Sequence, residues 1–80
     1  MNYTAHTAKQ LGQTLRSQRK LHKLTLKNVA SSVGLLPKTV TRLELATDTA
    51  SIESLYKLLS ALDLELVIRA KSNEVDDQGW

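Results

Sequence analysis

The sequence predicts a mostly α-helical fold, a bundle of four to five helices with one β-strand at its C-terminal end. Apolar residues recur at helical spacing between Leu11 and Leu62, which favours amphipathic helices around one core. Gly34 and Pro37 interrupt this pattern and indicate a turn between two of the helices. After Leu62 the apolar period shortens from about 3.6 to about 2 residues, which is typical of a strand. The 80 residues are enough for one small domain.

The first predicted helix follows Thr7, which has the spacing of a capping box with Gln10. This helix is expected to run from Ala8 to about His22. Its buried stripe is marked by two residues, Leu11 and Leu15. No glycine follows the helix, so its C-terminal turn is poorly specified by the sequence.

The segment 25–44 predicts a helix-turn-helix, around which the rest of the chain is organised. Thr25 has the side chain of an N-cap, and the apolar residues that follow have the spacing of one helical stripe. Gly34 can adopt the left-handed conformation that turns the chain into the next helix. The first helix of the motif is therefore expected to end at Gly34.

The second helix of the motif is expected to begin at Pro37, because proline suits the first helical position. Three apolar residues share the face that we expect to be buried: Leu36, Val40 and Leu43. Three side chains that can donate hydrogen bonds project from the opposite face: Lys38, Thr41 and Arg42. This helix thus combines a core-facing side with a polar outer side.

A last helix is predicted after Ser51, which is the next residue suited to capping. Its apolar stripe spans three turns: Ile52, Leu55, Leu58, Leu59 and Leu62. The alternation that follows places three apolar residues on one face of a predicted strand: Leu64, Leu66 and Ile68. A single strand has no partner inside the chain, so we expect it to pair with the same strand of a second subunit. The alternative is that this segment extends the preceding helix.

The charge of the chain is strongly divided. Eight of the 11 Lys and Arg residues lie in residues 1–42, whereas all eight Asp and Glu residues lie in residues 43–80. An uninterrupted basic region is the electrostatic footprint of a nucleic-acid-binding protein. The alternatives are a solvated basic face and a membrane surface, and the second is disfavoured because bulky aromatic anchors are scarce.

The ends of the chain differ from its centre in composition. Residues 1–6 predict a loose N-terminus, residues 7–70 the helix-turn-helix domain with its dimerising strand, and residues 71–80 a disordered acidic tail. Trp80 is a candidate partner-binding residue because tryptophan is a favoured interface anchor; alternatively it is an accident of the terminus. The absence of cysteine and of a signal peptide favours a bacterial-type cytoplasm.

Nothing in the sequence predicts an enzyme. His6 and His22 lack a nearby acid or cysteine, so neither a catalytic triad nor a metal site is indicated. Glycine occurs only three times and forms no phosphate-binding loop. We therefore expect no catalytic residue, metal, cofactor or small-molecule substrate.

The helix-turn-helix segment resembles the Xre/Cro-type regulators, and within them the HipB-type antitoxins. The matching motif positions are Leu24-Thr25, Val29-Ala30, Gly34, Thr39-Val40 and Arg42-Leu43-Glu44. The resemblance covers about residues 7–70, and the strand and the acidic tail with Trp80 direct it toward the HipB type. It implies a lambda-repressor-like bundle that forms a homodimer through paired C-terminal strands. It also implies binding to a palindromic operator, repression of the protein's own operon and a HipA-like kinase toxin as partner.

The same resemblance implies roles for individual residues. The candidates for base contacts in the major groove are Lys38, Thr41 and Arg42, and Arg42 has the strongest case because its planar guanidinium matches guanine. The candidates for phosphate contacts are Thr25, Lys27 and Thr39. An ion pair is expected between Arg19 and Glu44, with a structural role.

The sequence departs from the family pattern at five positions. Leu26 replaces a glutamine that braces the recognition helix, and Leu36 replaces a polar cap. Lys23 and Ala46 stand where glycine is common, and Pro37 occupies a position that often contacts bases. Specificity is therefore expected to rest on fewer side chains than usual.

Two kinds of function agree with these features. The first is a DNA-binding repressor that is also the antitoxin of a HipBA-like system, or a stand-alone Xre-family or phage-type repressor without a toxin. The second is a small helical module whose basic face binds an acidic protein. The outward side chains Lys38, Thr41 and Arg42 distinguish them, since only a repressor needs these residues for base contacts.

Overall fold

The computed structural model describes residues 2–71, which form a bundle of four α-helices and a short 3-10 turn. The helices are α1 (Ala8–Leu21), α2 (Leu26–Ser32), α3 (Pro37–Leu45) and α4 (Ile52–Ala61), with the 3-10 turn at Thr47–Thr49 between the last two. The prediction of a mostly helical bundle that contains a helix-turn-helix is confirmed. Within these residues every helix is too short or too polar to traverse a bilayer.

Three of the helices begin at the residues that the sequence predicts as caps. The hydroxyl of Thr7 accepts a hydrogen bond from the Gln10 amide, and that of Thr25 accepts one from the Asn28 amide. Ser51 caps α4 in the same way. Each bond satisfies a backbone N–H that has no partner inside the helix.

Helix α3 lies at the centre of the bundle, because α1, α2 and α4 all pack against it. The core is aliphatic and draws on all four helices: Leu15, Val29, Ala30, Val40, Leu43, Leu55, Leu58, Leu59 and Leu62. At Gly12, α1 approaches α3 so closely that a Cβ would overlap the backbone carbonyl of Glu44 and the hydroxyl of Thr47. The absence of a side chain at Gly12 therefore sets the distance between these two helices.

Three helices end with the same backbone motif. Lys23, Gly34 and Asp63 each follow a helix in the left-handed conformation, with φ of 57°, 72° and 58°. The next residue in each case donates a hydrogen bond to the carbonyl five residues earlier, as for Leu24 to Arg19 at 3.1 Å. These are Schellman motifs. The end of α1 is thus as well defined as that of α2, although a lysine stands where glycine would be favoured.

Two residues that the sequence placed in the core are exposed, and both predictions were wrong. Leu36 is 59% exposed because it is the N-cap of α3, where its extended backbone takes it off the helical stripe. Ile52 is exposed as the first residue of α4, and the burial of that stripe begins one turn later at Leu55. Helical periodicity does not apply to a cap residue, and core packing does not reach the first turn of α4.

The segment after α4 is not a continuation of the helix. Helix α4 ends at Ala61, and the left-handed backbone of Asp63 redirects the chain. Residues 64–70 have neither helix nor strand structure in the described chain. Leu64 packs against the core, but Leu66 and Ile68 are exposed, the latter by 90%. The helical alternative is therefore excluded, whereas the pairing of this segment with a second subunit stays a prediction.

Candidate nucleic-acid interface

The outer face of α3 presents two cationic side chains to solvent. Val40 and Leu43 are fully buried on the inner face, which fixes the rotation of the helix about its axis. Lys38 and Arg42 are exposed one helical turn apart on the opposite side. Both can therefore reach a partner without any rearrangement of the core.

Thr41 lies beside these two residues and is partly buried. Its hydroxyl donates a hydrogen bond to the backbone carbonyl of Pro37 at 3.2 Å. The proton of the hydroxyl is thus used within the helix, and the oxygen lone pairs and the methyl group are what Thr41 can offer to a partner. Of the three predicted base contacts, Lys38 and Arg42 are the available donors.

A buried ion pair holds α3 against the first helix. Arg19 donates from Nε to Glu44 Oε2 at 2.7 Å and from Nη2 to Oε1 at 3.2 Å. Its third contact runs from Nη1 to the carbonyl of Leu24 at 2.9 Å. The Arg19 side chain is 11% exposed and that of Glu44 3% exposed. This bidentate pair confirms the predicted structural contact, and it links α1, the loop before α2 and the end of α3.

The start of α2 carries the predicted phosphate contacts Thr25 and Lys27, both of which are exposed. The Thr25 hydroxyl is already in use, because it accepts a hydrogen bond from the backbone N–H of Asn28 at 3.0 Å and donates one to the side-chain oxygen Oδ1 of Asn28 at 2.7 Å. The side-chain NH2 of Asn28 is left to donate outward. Asn28 was not among the predicted site residues, since nothing in the sequence showed that the Thr25 hydroxyl would orient the side-chain amide of Asn28.

A shallow groove separates α3 from the start of α4. Its lining includes Lys38, Thr39 and Arg42 on one side and three hydroxyl-bearing residues on the other: Thr49, Ser51 and Ser54. Thr39, a predicted phosphate contact, thus lies beside the cations of α3. The three residues of the opposite side were missed, because only the packing of α4 against α3 brings them there. The hydroxyl of Thr49 donates to the Ala46 carbonyl at 2.7 Å and that of Ser51 donates to Ser54 Oγ at 2.9 Å, so both protons are used within the protein. The donors that the groove offers to a phosphate are its two cations and the hydroxyls of Thr39 and Ser54.

The described residues retain the charge asymmetry of the sequence. Of the eight basic residues in the segment 1–42, only Arg19 is neutralised by a buried acid. The other seven are exposed: Lys9, Arg16, Lys20, Lys23, Lys27, Lys38 and Arg42. Leu26, at the position where the resembled family has a bracing glutamine, is partly buried against the core and contributes no polar contact.

The remaining predicted sites lie at the C-terminal end. Leu64, Leu66 and Ile68 follow α4, and none of them lines the groove that contains Lys38 and Arg42. Trp80 and the acidic tail lie outside the described residues. No group of three His, Asp or Glu side chains within residues 2–71 is arranged to hold a metal ion.

The fold and this outer face define a helix-turn-helix protein. The helix-turn-helix family model matches residues 15–68, so the chain belongs to that family. This confirms the resemblance to Xre-type helix-turn-helix regulators, and HipB structures are its neighbours in fold. No curated protein sequence matches the chain.

Several solved structures share the fold. A HipB variant in an O2 20mer complex superposes with a TM-score of 0.85 at 18% identity, covering 90% of this chain and 100% of that chain. The HipB-O4 20mer complex and the HipA-HipB-O2-O3 complex each give a TM-score of 0.84 at 18% identity, covering 89% of this chain and 100% of theirs. At this identity the similarity establishes the fold alone.

Proposed function

We propose that the protein is a sequence-specific transcriptional repressor that binds a palindromic operator as a homodimer. The observation that carries this proposal is the exposure of Lys38 and Arg42 on the outer face of a helix whose inner face is buried. In helix-turn-helix proteins the second helix of the motif lies in the major groove. There, Arg42 and Lys38 can donate to O6 and N7 of guanine.

The phosphate contacts are proposed to flank this helix on both sides. Lys27 and the side-chain amide of Asn28 lie at the start of α2, and Thr39 lies in the groove beside α4. Thr25 contributes by orienting Asn28 through its hydroxyl. Contacts of this kind fix the position of the protein on the duplex but carry no sequence information.

The homodimer is proposed to form through the C-terminal segment. A single helix-turn-helix presents few base contacts, whereas two units on one palindrome double their number. Leu66 and Ile68 are exposed in a segment that makes no backbone hydrogen bond beyond Leu64 within residues 2–71. Pairing with the same segment of a second subunit would satisfy the backbone and cover these side chains.

The partner is proposed to be a HipA-like kinase toxin, so that the protein is the antitoxin and DNA-binding component of a HipBA-like system and represses its own operon. The support is the fold shared with HipB, one structure of which contains HipA as well.

Trp80 is the proposed partner-binding residue. Removing Gly79 and Trp80 should weaken copurification with a kinase encoded beside this gene and leave DNA binding intact. Unchanged copurification would make Trp80 incidental.

Selection from a random duplex library tests the DNA-binding proposal. We expect a palindromic consensus with one half-site per subunit. Binding should weaken steeply with salt, and Lys27→Ala should reduce the slope of log K against log salt by about 1. Lys57→Ala is the control, because Lys57 lies on α4 in the acidic half of the chain. If the library yields no consensus, and the wild type, Lys27→Ala and Lys57→Ala have equal salt slopes, the alternative function is favoured. That alternative is a small helical module whose basic face binds an acidic protein.

A further inference from the structure

We propose that Leu36 and Pro37 contact the 5-methyl group of thymine in each half-site of the operator. The inference rests on the proposed operator binding and adds to it the identity of a base that the protein selects. It arises from a difference between the sequence prediction and the structure. Leu36 was expected in the core, and it is exposed at the N-terminus of the DNA-facing helix.

The first two residues of this surface have no polar side-chain group. Leu36 is the N-cap of α3, is 59% exposed and makes no side-chain capping bond. Pro37, the first helical residue, is exposed and has no backbone N–H. A leucine at an N-cap forgoes the hydrogen bond that serine, threonine or asparagine would make there. The chain therefore presents an apolar group at a position where a polar one would stabilise the helix.

The position of these residues decides what they can contact. In helix-turn-helix proteins the N-terminal residues of the second helix contact base edges in the major groove. A leucine or proline placed there would desolvate donors and acceptors of the bases without replacing their hydrogen bonds. The only apolar group on a base edge in this groove is the methyl of thymine. An apolar pair at this position therefore favours thymine over the other bases.

The neighbouring side chains define the rest of the contact. Lys38 directly follows Pro37 and is exposed as a donor. Thr41 turns its hydroxyl proton into the helix toward the Pro37 carbonyl. The surface thus changes from apolar at Leu36 and Pro37 to cationic at Lys38. We expect the selected thymine to lie next to the base pair that Lys38 contacts.

Substitution of single thymines in the selected operator by deoxyuridine tests this inference, because it removes one methyl group and keeps base pairing. At one or two positions in each half-site we expect affinity to fall about fourfold, the effect of losing one buried methyl group. Leu36→Ala should sharply reduce that difference between thymine and uracil, because only the contact of Pro37 would remain. Leu21→Ala is the matched control, because Leu21 is similarly exposed at the end of α1, and it should preserve the difference.

Two further variants separate the contact from effects on folding. Leu36→Ser should raise the melting temperature, because serine can cap α3, and should still weaken thymine selection. If Leu36 acted only by stabilising the fold, a variant with a higher melting temperature would show stronger thymine selection and not weaker. Thr41→Ser removes the methyl group of a neighbouring candidate base contact, and loss of the uracil effect in this variant would assign the thymine contact to Thr41 and overturn the inference.

Several results would overturn the inference while the proposed function stands. Among them are a selected half-site without thymine beside the Lys38 contact, equal affinity for thymine and uracil at every position, and a uracil effect that is undiminished in Leu36→Ala. A change of sedimentation in Leu36→Ala would also overturn it, by making Leu36 a contact between subunits. Failure to select any operator would overturn the proposed function and this inference together.

Discussion

At the scale of single residues, Lys23 is one of two non-glycine residues in the described chain with a left-handed backbone, the other being Asp63. Lys23 has a φ of 57°, which non-glycine residues rarely adopt, and the resembled family commonly has glycine there. The Schellman bond from Leu24 to the Arg19 carbonyl depends on this conformation. The strain is local, because Lys23 is exposed and no packing contact requires its side chain.

We expect Lys23→Gly to stabilise the protein. The left-handed conformation costs an L-residue roughly 1–2 kcal/mol, and the greater chain entropy of glycine in the unfolded state offsets about half of that. The net gain should be about 0.5–1 kcal/mol, measured by chemical denaturation. Lys20→Gly is the control, because Lys20 is exposed in the last turn of α1, and it should lose about 1 kcal/mol. Destabilisation by both variants would contradict the conformational argument.

At the scale of the element, the orientation of α3 depends on groups that are distant in sequence. The Arg19–Glu44 pair joins residues 25 positions apart, and Gly12 lets α1 approach the end of α3. Both contacts act on the inner side of the C-terminal half of α3, whereas the candidate base contacts Lys38, Thr41 and Arg42 run along its outer face from the first turn to the last. The C-terminal end of α3 is thus fixed to the bundle on its inner side, and the outer face of the helix is left for a partner.

Breaking the buried ion pair should be costly. Glu44→Ala leaves the Arg19 guanidinium buried without its acid, and we expect a loss of about 3–5 kcal/mol in the free energy of unfolding. The double variant Arg19→Met/Glu44→Leu removes both charges and should recover most of that loss. Urea titration of the three proteins measures both effects. A double variant as unstable as Glu44→Ala would show that the charges themselves are required.

The sequence predicts the helices well because their signals are local. The caps Thr7, Thr25 and Ser51 and the turn at Gly34 follow from the preferences of individual residues. The Schellman end of α1 at Lys23 was not predicted, because only its carbonyl partner and backbone conformation reveal it. The position of this helix end was predicted to within one residue, at about His22 against the observed Leu21.

The candidate site was only partly predictable. Lys38 and Arg42 follow from helical periodicity, and both are on the outer face of α3. The hydroxyls of Ser51 and Ser54 join that face only through the packing of α4, which no local pattern encodes. The exposure of Leu36 escaped prediction for a related reason, since a cap residue lies outside the helical wheel.

At the scale of the whole molecule, the chain separates a basic surface from an apolar C-terminal segment. Seven exposed cations lie in residues 1–42, and the exposed apolar residues Leu66, Val67 and Ile68 lie after α4. The first surface suits a polyanion and the second suits another apolar surface. Two such molecules joined through residues 64–69 would present two helix-turn-helix motifs to one duplex.

We expect Ile68→Pro to convert the protein into a monomer. Proline removes a backbone donor and is poorly accommodated within a paired strand. Sedimentation equilibrium measures the change, and Ile68→Ala is the control because it keeps the N–H and should dimerise better than the proline variant. The helices should remain folded in both, since Ile68 is 90% exposed. A dimer that persists in Ile68→Pro would contradict strand pairing.

The most direct test of the central claim, that the outer face of α3 contacts bases, is the affinity of Arg42→Ala for the selected operator and for random DNA. A lost bidentate contact to guanine should weaken operator binding by about 1–3 kcal/mol and barely change binding to random DNA. Lys57→Ala serves as the control and should leave operator affinity unchanged. Equal losses on operator and random DNA would show that Arg42 contacts only the phosphate backbone, and would contradict the claim.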